Sequence, residues 1–327
     1  MENQFIFCPL LSFFLSLMFA AIISRFGSYV GLVDAPNERS SHKTPTPRSG
    51  GIGIWLAFAF LVMFFIGSQL FALLAGIVGL IGLLADYSSV REMIRLVLQL
   101  FVSSVLVGLF VGIDLHNDIV LFAFCVIFIT GTANFYNFMD GIDGIAGLAG
   151  FVGFGFMAFF SFYMASDHEI ALFSTILSVG CLGFLTFNFP KAKVFMGDTG
   201  SIFLGFMFAS FAIKLSLSTS MFLCVIMFMC MFYADALITI ACRARRGENL
   251  IIAHRSHLYQ YLSNELKIPH WKVSLAYTLA QSVFALMALV SYKMGIIWQI
   301  IVFVFFMVMF MVAYRCIKGI KSKLLLS

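Results

Sequence analysis

The chain has 327 residues, of which 62% are hydrophobic and only 11% charged, and its mean hydropathy is +1.04. Soluble globular domains carry about a quarter of their residues as charges, so this composition excludes that class and leaves a polytopic membrane protein. A formal net charge of +5 would suit nucleic acid, but where the basic residues fall argues for a membrane surface instead.

A spanning helix needs about 20 apolar residues, and Gly, Pro and charge mark the interruptions. On that rule spans are predicted at roughly 5–24, 51–67, 70–84, 93–112, 119–133, 145–165, 170–187, 201–216, 219–240, 273–290 and 297–314, about eleven in all. The first has neither a positive n-region nor a small-residue cleavage pattern, so it reads as a retained span. The narrowest breaks are Gly67, Ser68 and Gln69, and the stretch from Lys214 to Ser220. Gly76, Gly79 and Gly82 repeat at helical spacing, as a helix-packing stripe does. Seven cysteines lie mostly in apolar runs without a CxxC pair, which argues against both a metal centre and a disulfide framework. No internal repeat or soluble domain appears, and one membrane domain is expected to cover residues 1–327.

Five polar segments separate the spans. The first, GLVDAPNERSSHKTPTPRSGG, is kept extended by Pro36, Pro45 and Pro47. Its Arg39, Lys43 and Arg48 suit a basic cytoplasmic loop, or, with His42 and nearby hydroxyls, a set of phosphate donors. The second, GLLADYSSVREMIRL, offers Asp86, either as a polar group at a helix N-terminus or as a base or cation partner in an acidic pocket.

The third, NFYNFMDGIDGIAG, holds Asn134, Asn137, Asp140 and Asp143. The two carboxylates converge whether they share a helical face or a tight turn at Gly141 and Gly144. A charged group in hydrocarbon costs at least about 2.5 kcal/mol, so the pair calls for water, a cation or a substrate beside it. In the fourth, FNFPKAKVFMGDTGSIFLGF, Asp198 stands at the entrance to a helix, as an N-cap or as a Mg²⁺ ligand next to a phosphate. The fifth, ACRARRGENLIIAHRSHLYQYL, sets His254 and His257 about Arg255. With no Cys or third His nearby, a phosphate or diphosphate clamp backed by Arg243, Arg245 and Arg246 fits better than zinc.

Every Lys and Arg except Lys214 and Lys293 falls on one side of this layout. By the positive-inside rule that side is cytoplasmic, giving an all-α polytopic protein with its N-terminus periplasmic and its C-terminus cytoplasmic. The polar candidates gather on the same side. A transporter or flippase would instead set polar groups deep in broken helices and show repeated halves. Carboxylates facing Arg and His donors meet the needs of phosphoryl or phosphosugar transfer.

Taken in register, VDAPNERSSHKTPTPRSGG, ADYSSV, NFYNFMDGIDGIAG, VFMGDTGS and AHRSHLYQYL resemble the polyprenyl-phosphate N-acetylhexosamine-1-phosphate transferases of glycosyltransferase 4 type. The resemblance covers nearly the whole chain. It implies transfer of a HexNAc-1-phosphate from a UDP-sugar to undecaprenyl phosphate, with release of UMP and dependence on Mg²⁺ or Mn²⁺. The site would face the cytoplasm from a bacterial inner membrane.

The resemblance further implies that Asp198 is the metal ligand and that Asn137, Asp140 and Asp143 shape the nucleotide and metal pocket. Lys43 would sit beside the phosphates, with His254, Arg255 and His257 gripping the diphosphate and sugar. Asp86 matches the second member of an Asp-Asp pair whose first position is Ala85 here. A base or nucleophile at that first position therefore does not transfer. Either Asp86 orients the acceptor or an already ionised phosphate attacks the donor's β-phosphate directly, the route favoured here because a phosphate monoester's second pKa is near ~6. Ala85 also admits a catalytically impaired scaffold, against which the remaining aspartates and histidines speak.

The loop lacks the adjacent-histidine run of the UDP-MurNAc-pentapeptide branch and is similar to the branch that initiates O-antigen, lipopolysaccharide or capsule chains. UDP-GlcNAc or a 6-deoxy relative such as UDP-FucNAc or UDP-QuiNAc is the expected donor. The implied partners are that UDP-HexNAc, undecaprenyl phosphate, membrane lipid and a second copy in a homodimer, with no nucleic acid.

Overall fold

The computed structural model describes residues 2–36, 41, 44–88, 90–112, 118–249 and 255–324. Hydrocarbon offers the backbone no hydrogen-bond partner, so an apolar chain satisfies its amides within helices. Helix α1 is Glu2–Phe26, and a small antiparallel pair follows, β1 Val33–Asp34 and β2 Thr46–Pro47, with Val33 opposite Pro47. Then come α2 Ile52–Leu61, α3 Gln69–Ser88, α4 Glu92–Leu106, α5 Ile119–Phe138, α6 Ile145–Phe160, α7 His168–Asn188 and α8 Gly197–Leu215. Helices α9 Thr219–Ile226 and α10 Cys230–Arg245, joined through a 3-10 turn at Met227–Met229, form one span, and α11 Leu258–Gln260, α12 His270–Met294 and α13 Ile296–Leu324 complete the order.

Among the described residues, 10 helices are long and apolar enough to cross a membrane, which makes this an all-α polytopic membrane protein. The span expected at 51–67 is a shorter apolar helix, Ile52–Ile66, which rises roughly 22 Å against a hydrocarbon core of about 30 Å. Neighbours cover it: Ile54, Phe58 and Leu61 are fully buried. The narrow break after it exists, with Gly67 in the left-handed region at φ +88°. Between α8 and α9, the Ser218 hydroxyl accepts from the Met221 N–H at 3.2 Å and starts the new helix.

Helix α8 lies at the centre, buried continuously from Thr199 to Ile213. Its Phe203 and Phe211 join Phe58, Phe71 and Phe173 in an aromatic cluster with ring centroids 5.3 to 6.4 Å apart. Phe14, Phe101, Ile127, Leu279 and Val308 stay exposed on the outer helices, as lipid-facing side chains do. At Gly82, a Cβ would stand 2.6 Å from the Thr199 Cα, so α3 and the first turn of α8 meet backbone to backbone.

Candidate active site

Asp86 sits in the last turn of α3, where its own helix dipole disfavours a negative charge, and it is only 2% exposed. Its carboxylate instead reaches the start of α8. One oxygen accepts from the Asp198 N–H at 3.0 Å; the other accepts from the Thr199 N–H at 3.1 Å and from the Thr199 and Ser49 hydroxyls at 2.7 Å each. The helix N-terminus that Asp86 stabilises is therefore that of α8, not of its own helix. The Arg48 guanidinium donates to the Asp86 carbonyl.

Because Asp86 satisfies those amides, Asp198 is not needed as a cap; the cap position is Met196, which makes no side-chain bond. The Asp198 carboxylate lies on a cleft, paired with Arg95 and accepting from Asn137 Nδ2 at 2.8 Å. Asn137 also donates to Ser201 Oγ at 2.9 Å. The second amide of the same segment, Asn134, donates to Gln99 at 2.7 Å and braces α4 against α5.

Asp140 and Asp143 come together on the tight turn between α5 and α6, not on a helical face. Gly144 closes that turn at φ +81°, and its N–H donates to Asn188 Oδ1 at 2.9 Å. On the far side, the Ser274 hydroxyl donates to the Asp143 carbonyl at 2.7 Å, and His270 Nδ1 stands 3.4 Å from Asp143 Oδ2. The Tyr259 hydroxyl donates to the Phe138 carbonyl at 2.8 Å and ties the turn to the following loop.

Asp86, Asn137, Asp140, Asp143 and Asp198 thus share one cleft of about 270 Å³, with Arg48, Asp34, Gln260 and His270 also on its walls. Burial first, and then the charges of Asp198, Asp86, Asp143 and Asp34, push the Asp140 carboxyl up to about 8. Such an excess of carboxylate suits a divalent cation. Among the described residues no cluster of three or more ligating side chains forms a self-sufficient cage. The oxygen donors present fit Mg²⁺ or Mn²⁺, since Mg²⁺ is ordinarily held by one or two carboxylates and completed by substrate phosphates.

Among the described residues of the histidine loop, Gln260 lines the cleft. His257 is 2% exposed, with Nδ1 3.5 Å from Asp235 Oδ1, and it does not line the cleft. Arg255 is exposed and is not on the cleft wall either. Lys43 and His254 lie outside the described residues. Of the arginines expected to back the clamp, Arg243 donates to Glu248 at 2.9 Å and to the Asn249 carbonyl at 2.6 Å, Arg246 donates to Glu248 at 3.2 Å, and Arg245 lines another recess.

Asp235, fully buried in α10, anchors the loop by accepting from the Leu258 and Tyr259 N–H groups at 2.8 and 3.2 Å and from the Tyr277 hydroxyl at 2.8 Å. A carboxylate inside an apolar span demands partners, so its sequence position carried a signal. His270 carried none beyond a His after Pro269 at a helix start, and Arg95 read as one more basic residue near a helix end.

The profile of glycosyl transferase family 4 matches residues 68–216, the stretch that holds Asp86, Asn137, Asp140, Asp143 and Asp198. A decaprenyl-phosphate N-acetylglucosaminephosphotransferase of Mycobacterium tuberculosis is 30% identical over 335 aligned positions, covering 81% of each chain. A probable undecaprenyl-phosphate N-acetylglucosaminyl 1-phosphate transferase of Bacillus subtilis is 26% identical over 94% of this chain and 90% of its own. A phospho-N-acetylmuramoyl-pentapeptide-transferase of Heliobacterium modesticaldum is 34% identical over 52% of this chain and 61% of its own. The chain belongs to glycosyl transferase family 4, in the enzyme class of the polyprenyl-phosphate N-acetylhexosamine-1-phosphate transferases.

Proposed function

We propose that the acidic cleft takes the diphosphate of a UDP-HexNAc, UDP-GlcNAc or a 6-deoxy relative, and transfers its sugar-1-phosphate to undecaprenyl phosphate. The observation that carries this reading is the convergence of Asp86, Asn137, Asp140, Asp143 and Asp198, from three separated segments, on one cleft that Arg48 also lines. The acceptor phosphate forms a bond to the donor's β-phosphorus, the bond from that phosphorus to the bridging oxygen breaks, and UMP leaves with the electron pair. A phosphate monoester is largely dianionic near neutrality, so the chain's task is to position it, and no protein base is required. That suits a chain with Ala85 in place of a first aspartate.

Asp198 and Asp140 would hold Mg²⁺ or Mn²⁺, which when bound neutralises charge on the donor phosphates. Asn137 orients Asp198, and Arg95 holds the same carboxylate in place. Asp86 acts as a positioning residue: four donors engage its oxygens and it is 2% exposed, whereas Asp198 takes one donor on each oxygen and its side chain is 26% exposed on the cleft. Arg48 faces the phosphates from the cleft wall. His257, set by Asp235, orders its loop, and Arg255, His254 and Lys43 are proposed as further phosphate donors. The basic residue distribution supports a cytoplasmic mouth for the cleft and the start of a lipid-linked glycan in a bacterial inner membrane.

The test incubates purified protein with undecaprenyl phosphate, Mg²⁺ and a panel of UDP-sugars and measures UMP release. One donor should give turnover, lost roughly a hundredfold or more in Asp198→Asn while the protein stays monodisperse. No UMP from any UDP-HexNAc would overturn the reading.

A further inference from the structure

Arg245 and Arg246 end α10, Arg315 and Lys318 lie near the end of α13, and all four line a recess of about 300 Å³ between these helices. It shares no lining residue with the acidic cleft, and no carboxylate is on its wall among the described residues. Its remaining surface is chiefly apolar, with Ile238 and Met311 on opposite helices. Basic anchoring of helix ends explains why such residues occur near a membrane surface. It does not explain why two helices bring four of them to one cavity with greasy walls. Arg246 has Glu248 as a partner, whereas Arg245, Arg315 and Lys318 hold like charges together on the recess, and an anion between them relieves the repulsion.

We propose that this recess binds the phosphate of an anionic phospholipid, with the acyl chains lying along Ile238 and Met311. Guanidinium groups grip phosphate through paired N–H donors, and α13 continues from the recess as a lipid-facing helix, with Met311, Val312 and Val308 exposed. A zwitterionic lipid carries its own ammonium and gains less from the same cations. The recess also touches the histidine loop: Lys318 Nζ donates to the Ser256 carbonyl and the Tyr314 hydroxyl at 2.5 Å each. Ser256 lies between Arg255 and His257, so an occupied recess holds the end of α13 against that loop.

The test uses the full chain, delipidated in detergent and examined by native mass spectrometry with phosphatidylglycerol or phosphatidylcholine of matched acyl chains. Phosphatidylglycerol should be retained and phosphatidylcholine lost. The double variant R245Q/R315Q should bind phosphatidylglycerol roughly tenfold more weakly or worse, and Arg315→Lys should retain it. Glycerol phosphate in solution should not displace the lipid. Equal retention of the two lipids, unchanged binding by the double variant, or displacement by glycerol phosphate alone would refute the assignment. On the unaltered protein, hydrogen exchange at residues 255–260 should slow with phosphatidylglycerol relative to phosphatidylcholine; equal rates refute it even where the variants fail to fold. None of these readouts needs turnover, so they stand apart from the proposed reaction.

Discussion

A carboxylate at the end of one helix and a carboxylate at the start of another divide the work of the site. Asp86 gives up its oxygens to backbone and hydroxyl donors, and Asp198, held by the Asn137 and Arg95 side chains, faces the cleft. Asp86→Asn should cost about 1–3 kcal/mol of stability, because an amide group then faces N–H donors, and should lower turnover roughly tenfold by shifting Asp198. Thermal unfolding in detergent and initial rates check the two effects together. Asp140 supplies a pH signature. Its carboxyl is raised from 3.8 to about 8, so the folded protein holds a proton that the unfolded chain has released. The stabilisation is complete below about pH 4 and is lost as pH rises through about 8. The melting temperature of cation-free protein should accordingly fall across that window, and Asp140→Asn should flatten the slope.

At the level of helices, the site depends on how closely α3 approaches α8. Gly82→Ala would drive a methyl to within 2.6 Å of the Thr199 Cα, so the backbones must separate and the bonds from Asp86 must lengthen. The expected loss is about 1–3 kcal/mol, the usual range for overpacking, with a matching fall in UMP release. Gly76, from the same stripe, has open space around it, so Gly76→Ala serves as the silent control. The stripe could be read in the sequence, but not which of its members touches a neighbour, since spacing gives a helical face and not what lies opposite. The spans were legible for a similar reason: length and hydropathy are properties of one segment. What escaped were relations between segments. The carboxylate of α3 as the cap of α8, His270 beside Asp143, and the diversion of Arg243 and Arg246 to Glu248 all depend on which helices pack together. The convergence of Asp140 and Asp143 on one cleft was legible because their spacing alone brings them together.

For the molecule as a whole, orientation rests on the Lys and Arg distribution and is open to a direct check. Cys316 is an exposed free thiol near the end of α13, whereas Cys8, Cys125, Cys181, Cys224 and Cys230 are buried. A membrane-impermeant maleimide should label Cys316 in inside-out vesicles and leave it unlabelled in right-side-out ones, with Cys316→Ser as the blank. The reverse pattern would invert the topology and put the cleft on the opposite face. The bond network at the start of α8 carries a further implication. Since a side chain of α3 fastens the first turn of the encased central helix, a tilt of α3 is expected to displace Asp198 as well. Helices tilt to match the thickness of the surrounding hydrocarbon. Turnover in vesicles of graded acyl chain length should therefore vary across the series, and equal rates throughout would show that α3 adjusts to the bilayer without moving Asp198.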